Sequence, residues 1–212
     1  MKEYFTPFSP KILLDTESKV SNHDEILTWI KSIYNESPVK GQGNFYNTGF
    51  TTYFYDDFTS QLFEVDVFKH LKDLILERST EYVNNIIEKM RELNAPWTRS
   101  HSNIRLRTMW FNINPPGGFQ GRHHHAPDLL AGTYYISVPK YSGNITFTDP
   151  NQFAYYLNQT ESSKSLLLSS YTFAPGEGDL LIWPGWMDHE IGVNKTSEED
   201  RISVSFAIEW DD

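Results

Sequence analysis

The chain changes character near Pro96, and that change constrains its fold more than any other feature. Beyond it, short runs rich in β-branched and aromatic residues recur at 104–114, 132–138, 145–148, 171–173, 179–183, 190–193 and 202–208, divided by Pro and Gly. Seven such strands in about 110 residues predict a β-sandwich or jelly roll rather than a parallel α/β sheet. Before Pro96 the pattern is helical. Asn22 followed by Glu25 predicts a capping box, and Ile26, Leu27, Ile30, Ile33 and Tyr34 form the apolar stripe behind it. Pro38 and the glycines that follow end that helix. A longer helix is expected from near Asp66, with Phe68, Leu71, Leu74, Ile75, Tyr82, Ile86, Met90 and Leu93 on one face, stopped at Asn94-Ala95-Pro96.

The expected architecture is therefore α+β and mainly β. A jelly-roll core over 101–212 carries a supporting helical layer from 1–100, as one continuous domain. Residues 45–63 read either as a short hairpin or as a substrate-facing loop. Residues 157–170, polar with a short Leu run, read as a loop insertion between strands.

Charge and cysteine usage narrow the functional classes. The net charge of −10 and pI near 5.1 lack the basic surface that displaces counterions from a nucleic acid, so such a partner is disfavoured. With 0 Cys there is no disulfide framework, thiolate nucleophile or sulfur-ligated metal. The opening residues lack a signal-peptide core and no apolar run approaches ~20 residues, so a soluble, cytoplasmic protein without a membrane partner is expected.

The 7 histidines include the run His123-His124-His125; if that run begins a strand, parity puts His123 and His125 on one face with His124 turned away. A third imidazole is available at His189, after the 179–183 run. Three ligands on one face of a metal leave the opposite positions open for substrate and dioxygen, although imidazole suits Fe, Zn, Cu and Ni alike. Taken singly these features have plain readings: a His-rich surface loop, and a structural histidine. A further element is Arg201, Ser203 and Ser205 alternating with Ile202, Val204 and Phe206. It is either an ordinary half-exposed strand or a carboxylate clamp, since a guanidinium fork matches a carboxylate bidentately.

Taken in order, NINPPGGFQGRHHHAPDLLAGTYYISVP, GEGDLLIWPGWMDHEIGVN and RISVSF resemble the prolyl-hydroxylase-like branch of the Fe(II)/2-oxoglutarate oxygenases, especially uncharacterised phage and bacterial members. The resemblance covers roughly 104–208 and implies a double-stranded β-helix fold. It implies a dioxygenase that uses Fe(II), 2-oxoglutarate and O2, hydroxylates an unactivated C–H bond and releases succinate and CO2. Carried over by position, His123 and His189 match iron ligands. Arg201 matches the residue that holds the far carboxylate of 2-oxoglutarate, helped by Ser203 and Tyr135. Asn112 and Asn114 are further candidates to line the site. The departure is at the second ligand, where the usual Asp is His125; Asp128 is the alternative, and only if the chain bulges. Neutral imidazole in place of carboxylate leaves one more positive charge on the centre.

Three rivals remain open. A cupin-type three-histidine metalloenzyme shares the fold, but its Glu is absent near Leu129 and it leaves Arg201 and Ser203 without a role. A non-catalytic jelly-roll module would explain the missing carboxylate. A nucleic-acid repair oxygenase lacks its second arginine, because position 207 is Ala. The substrate, small-molecule or peptidyl, is not fixed by the resemblance, and neither is the oligomeric state. Trp97, Trp110, Tyr134 and residues 53–58 are aromatic candidates for a pocket wall or for the core.

Overall fold

The computed structural model describes residues 12–36, 49–53, 62–92, 103–149 and 170–211. In chain order the elements begin with β1 (Leu13–Asp15), α1 (His23–Glu36), β2 (Phe50–Thr51), two 3-10 turns (Leu62–Glu64 and Asp66–Phe68) and α2 (Lys69–Glu92). The strands then follow as β3 (Ile104–Asn114), β4 (Gln120–His123), β5 (Leu130–Ser137), β6 (Ile145–Thr148), β7 (Ser170–Phe173), β8 (Leu180–Pro184), β9 (His189–Ile191) and β10 (Arg201–Trp210).

Two antiparallel sheets result, ordered β1-β8-β5-β10-β3-β2 and β4-β9-β6-β7. From β3 onward the chain passes back and forth between them, with only β6 and β7 joined in sequence on one sheet. This is a double-stranded β-helix, as expected. The alternation in β10 decides its layering. Ile202, Val204 and Phe206 point to one side, where the helices bury them with Ile26, Ile30, Phe68, Leu71 and Ile75. Trp29 ties α1 to the turn before α2 and to the sheet, lying edge-on to Phe68 at 5.2 Å and to Phe111 at 6.3 Å. Arg201, Ser203 and Ser205 face the second sheet instead. Between the sheets a smaller core of Tyr135, Ile145, Phe147, Leu181, Trp183 and Met187 fills one end.

Several expectations change in detail. The Asn22–Glu25 capping box is not made. Asn22 Oδ1 has no partner and its Nδ2 donates to the Val67 carbonyl at 2.7 Å, so the side chain ties α1 to the turn before α2. The buried face of α2 runs through Leu71, Ile75, Ser79, Tyr82, Val83 and Ile87. Leu74, Ile86 and Met90, placed on that face by the sequence, are only half-buried. Strands β1 and β2 carry the N-terminal portion into the six-stranded sheet as its two edges. The 45–63 segment holds β2 and the first 3-10 turn, and the 157–170 segment holds the first residue of β7. The helix stops at Pro38 and at 94–96, Trp97, and residues 45–48, 54–61 and 157–169 lie outside the described residues. No helix among the described residues is long and apolar enough to cross a membrane.

Candidate metal centre

His123 ends β4 and His189 begins β9, and the two are direct partners in the β4–β9 ladder. Their rings therefore meet, with centroids 4.3 Å apart. The strand stops at His123, so parity alone does not orient His125. Its backbone N–H donates to the Gly185 carbonyl at 2.7 Å, which clasps the β4–β5 loop onto the β8–β9 turn. That clasp brings the His125 ring to 5.1 Å from His123 and 5.2 Å from His189. Among the described residues these three form a group whose candidate ligand atoms all lie within 4.8 Å of one another.

The hydrogen bonds fix the chemistry of two of them. His123 Nδ1 lies 2.8 Å from the Gly121 carbonyl and His189 Nδ1 lies 3.0 Å from the Met187 carbonyl. A carbonyl only accepts, so each Nδ1 carries the proton and each Nε2 keeps its lone pair free for a metal. Burial lowers all three imidazoles below the ordinary histidine range, and neighbouring histidines add to it at each. His125 is pushed down to about 3. Neutral imidazole is the form a divalent metal takes.

Asp128, the alternative second ligand, is engaged elsewhere. Arg107 holds both of its carboxylate oxygens, with Nη2 to Oδ2 at 2.8 Å and Nε on Oδ1. The turn that delivers it, with the Asp128 N–H on the His125 carbonyl at 2.9 Å, sets it outside the imidazole group.

The three imidazoles open onto a cavity of about 290 Å³ that also takes in Arg201, Ser203, Ser205, Asn112, Thr133 and Trp110. These come from adjacent strands of the larger sheet, where register pairs Arg201 with Asn114, Ser203 with Asn112 and Tyr135, and Ser205 with Trp110 and Thr133. Ser205 Oγ receives the Asn112 amide at 3.1 Å and shares a hydrogen bond with Thr133 Oγ1 at 3.0 Å, so it is committed within the wall.

Arg201 is different. It is 1% exposed, yet Nε and Nη2 have no hydrogen-bond partner. Its guanidinium carbon lies 5.0 Å from the Tyr135 ring centroid, and the Tyr135 hydroxyl is itself unpartnered. Burial pulls the guanidinium below its ordinary range while Tyr135 pulls the other way. Burial likewise pushes the phenol up to about 12, so it stays a neutral donor. Both amide atoms of Asn114, the register partner of Arg201, are buried and unpartnered as well. Buried donors without acceptors demand an explanation, and an anion bound between them is the simplest.

The sequence reading is amended at the rim. His124 is exposed, as alternation predicts, but it still borders the cavity, and its Nδ1 accepts the Ala126 N–H at 3.1 Å. Tyr53 lines the mouth, edge-on to Trp110 at 4.8 Å. Tyr134 lies on the far side of the sheet, where its hydroxyl meets His23 Nδ1 at 2.9 Å. Thr51, Gln120 and Ile191 complete the lining. They went unnoticed because no motif marks them; only the pairing of β2 with β3 and of β4 with β9 brings them there.

A double-stranded β-helix thus sets three clustered imidazoles, a ligand set for a metal ion, beside a buried guanidinium whose Nε and Nη2 have no partner. Residues 108–207 match the sequence model of the family described as "Putative 2OG-Fe(II) oxygenase". Over that β core, just under half of the chain, the sequence is similar to this family. Among solved structures, the non-heme alpha-ketoglutarate-dependent epimerase SnoN from nogalamycin biosynthesis superposes with a TM-score of 0.65 at 13% identity, over 94% of this chain and 77% of that one. HygX from Streptomyces hygroscopicus, with nickel and 2-oxoglutarate bound, gives 0.60 at 13% identity over 94% and 83%. A Pseudomonas putida prolyl-4-hydroxylase gives 0.54 at 11% identity over 95% and 93%. No curated protein matches the sequence.

Proposed function

We propose that the chain hydroxylates an unactivated C–H bond of its substrate, using Fe(II) held by His123, His125 and His189 and 2-oxoglutarate held by Arg201, Ser203 and Tyr135. One observation carries this reading: a fully buried guanidinium with two unpartnered nitrogens faces the cavity that the three imidazoles share. A dicarboxylic acid satisfies both ends at once, one carboxylate on the guanidinium and the other end at the metal. The donor set fits both groups, with neutral imidazoles for the ion and charge-assisted donors for the acid.

Loaded iron and 2-oxoglutarate would supply the oxidising chemistry by activating O2 as the cosubstrate decarboxylates. The chain's own residues position and shield. The Gly121 and Met187 carbonyls hold two rings in the ligating tautomer. Arg201 with Tyr135 orients the cosubstrate, and Ser203 presents its hydroxyl from the same strand face. Trp110 and Tyr53 form an apolar wall at the mouth that limits water.

The fold hosts an epimerase as well as a hydroxylase, so it does not choose the outcome at the carbon atom. The cupin reading explains three histidines but gives the buried guanidinium no partner. The deciding experiment is anaerobic Fe(II) loading followed by O2, with succinate measured with and without 2-oxoglutarate. Succinate that depends on both Fe(II) and 2-oxoglutarate supports the proposal. Metal binding without any succinate, under every substrate condition tried, would sink it.

A further inference from the structure

The charge count in this cavity points to the kind of substrate it takes, an inference that rests on the proposed metal and cosubstrate sites. The described residues that line it include four histidines and one arginine but no Asp or Glu, in a chain whose net charge is −10. Asp128, three residues after His125, is neutralised by its two-point contact with Arg107, and Asp200, next to Arg201 in sequence, does not line the cavity. Asp188 acts on His123 only as the smallest of its influences and does not line the cavity. Glu190 faces Arg122 at 3.9 Å, away from the lining.

With His125 where a carboxylate would stand, all three protein ligands are neutral. A divalent ion and the Arg201 cation then outweigh the dianionic cosubstrate by one charge. At the inner wall, where Arg201, Ser203 and His189 are buried, that excess is only partly screened, and it acts on whatever enters next. Among the described residues the entry is aromatic, built from Trp110 and Tyr53 meeting edge-on with their rings 4.8 Å apart, flanked by the neutral hydrogen-bonding groups of Thr51 and Gln120.

We propose that the substrate is an organic monoanion, a carboxylate with an apolar or aromatic body, whose charge offsets the excess left by the three-imidazole centre. The anion supplies the negative charge that the protein omits from its ligand set, so recognition and loading become linked. An uncharged analogue of the same shape meets the same walls but leaves the excess uncompensated.

The test uses the full chain loaded with Co(II) and saturating 2-oxoglutarate under anaerobic conditions, titrated separately with benzoate, benzamide and benzylamine. Binding is followed by calorimetry and by the visible absorption of Co(II). Benzoate should bind at least tenfold more tightly than benzamide, with benzylamine weakest. In His125→Asp, which restores the carboxylate, the preference for benzoate should fall to within about threefold. Equal binding of benzoate and benzamide to the native protein overturns the inference while leaving the metal and cosubstrate sites intact. So does a preference that persists unchanged in a His125→Asp protein that still binds Co(II). If His125→Asp does not fold, a His125→Gln protein that still binds Co(II) stays neutral at this position and must keep the benzoate preference of the native protein; its loss there counts against the inference. Failure of Co(II) or 2-oxoglutarate to bind at all defeats the underlying site, and the inference with it.

Discussion

The guanidinium of Arg201 lies over the ring of Tyr135 at 5.0 Å, and neither the phenol hydroxyl nor two of the guanidinium nitrogens has a hydrogen-bond partner. A charged group in that position destabilises the empty protein and becomes favourable only when an anion arrives. Arg201→Met, which keeps the volume and removes the charge, should therefore stabilise the metal-free protein by about 1–3 kcal/mol. The same change should weaken 2-oxoglutarate binding by roughly 2–5 kcal/mol while leaving metal affinity nearly unchanged. Thermal denaturation and calorimetry on one preparation read both effects; a drop in melting temperature would contradict the idea of an idle buried cation.

His124 sits between two proposed ligands and borders the same cavity, so it serves as the internal control. His189→Ala should reduce Fe(II) or Co(II) affinity by more than roughly a hundredfold, beyond the effect of losing an outer-sphere contact. His124→Ala should leave it within about threefold. Equal losses from both substitutions would argue for a loose surface cluster rather than a built centre.

Gly185 accepts the His125 N–H through its carbonyl and packs so tightly that an added Cβ would lie 2.2 Å from the Asp128 carbonyl oxygen. Backbone must move to admit it. Gly185→Ala should lower stability by roughly 1–3 kcal/mol and should also weaken metal binding, because the displaced loop carries His125. Retention of native metal affinity in a folded Gly185→Ala protein would show that the clasp does not position the ring.

Acid should unfold the metal-free protein earlier than its composition suggests. Burial holds His125 at about 3 and drives His123 and His189 downward as well. In the unfolded chain these groups bind protons near pH 6.5, so below that value the unfolded state carries more protons than the folded one. Stability is therefore full above pH 6.5 and falls as the pH drops toward the folded values. For His125 alone the loss reaches about 2 kcal/mol at pH 5, from 1.36 kcal/mol per unit. Urea denaturation at pH 7.5 and pH 5 measures it, and replacing the three histidines together by Gln should flatten the dependence.

Much of this was legible from residue order because chemistry and periodicity coincide in β10. Its alternation both assigns the strand to the middle of a two-faced sheet and isolates Arg201 with Ser203 on the polar side. The strands at 104–114 and 145–148 were likewise readable to the residue, being bounded by Pro and Gly. Strand β4 was not, since Gln120-Gly121-Arg122-His123 has no β-branched residue and exists through its pairing with β9. The engagement of Asp128 by Arg107 was equally invisible, because 21 residues and a strand crossing separate them. Asn22 looked like a cap because capping is a local rule; its side chain answers instead to Val67, 45 residues away.

His123 and His189 belong to the four-stranded sheet, whereas Arg201, Ser203 and Tyr135 belong to the six-stranded one. A cosubstrate gripped at both ends would thus act as a rivet across the sandwich, converting ligand occupancy into mechanical cohesion between the two layers. Slower amide exchange should then appear in β4 and β9 on loading, a protection that neither metal alone nor dicarboxylate alone reproduces.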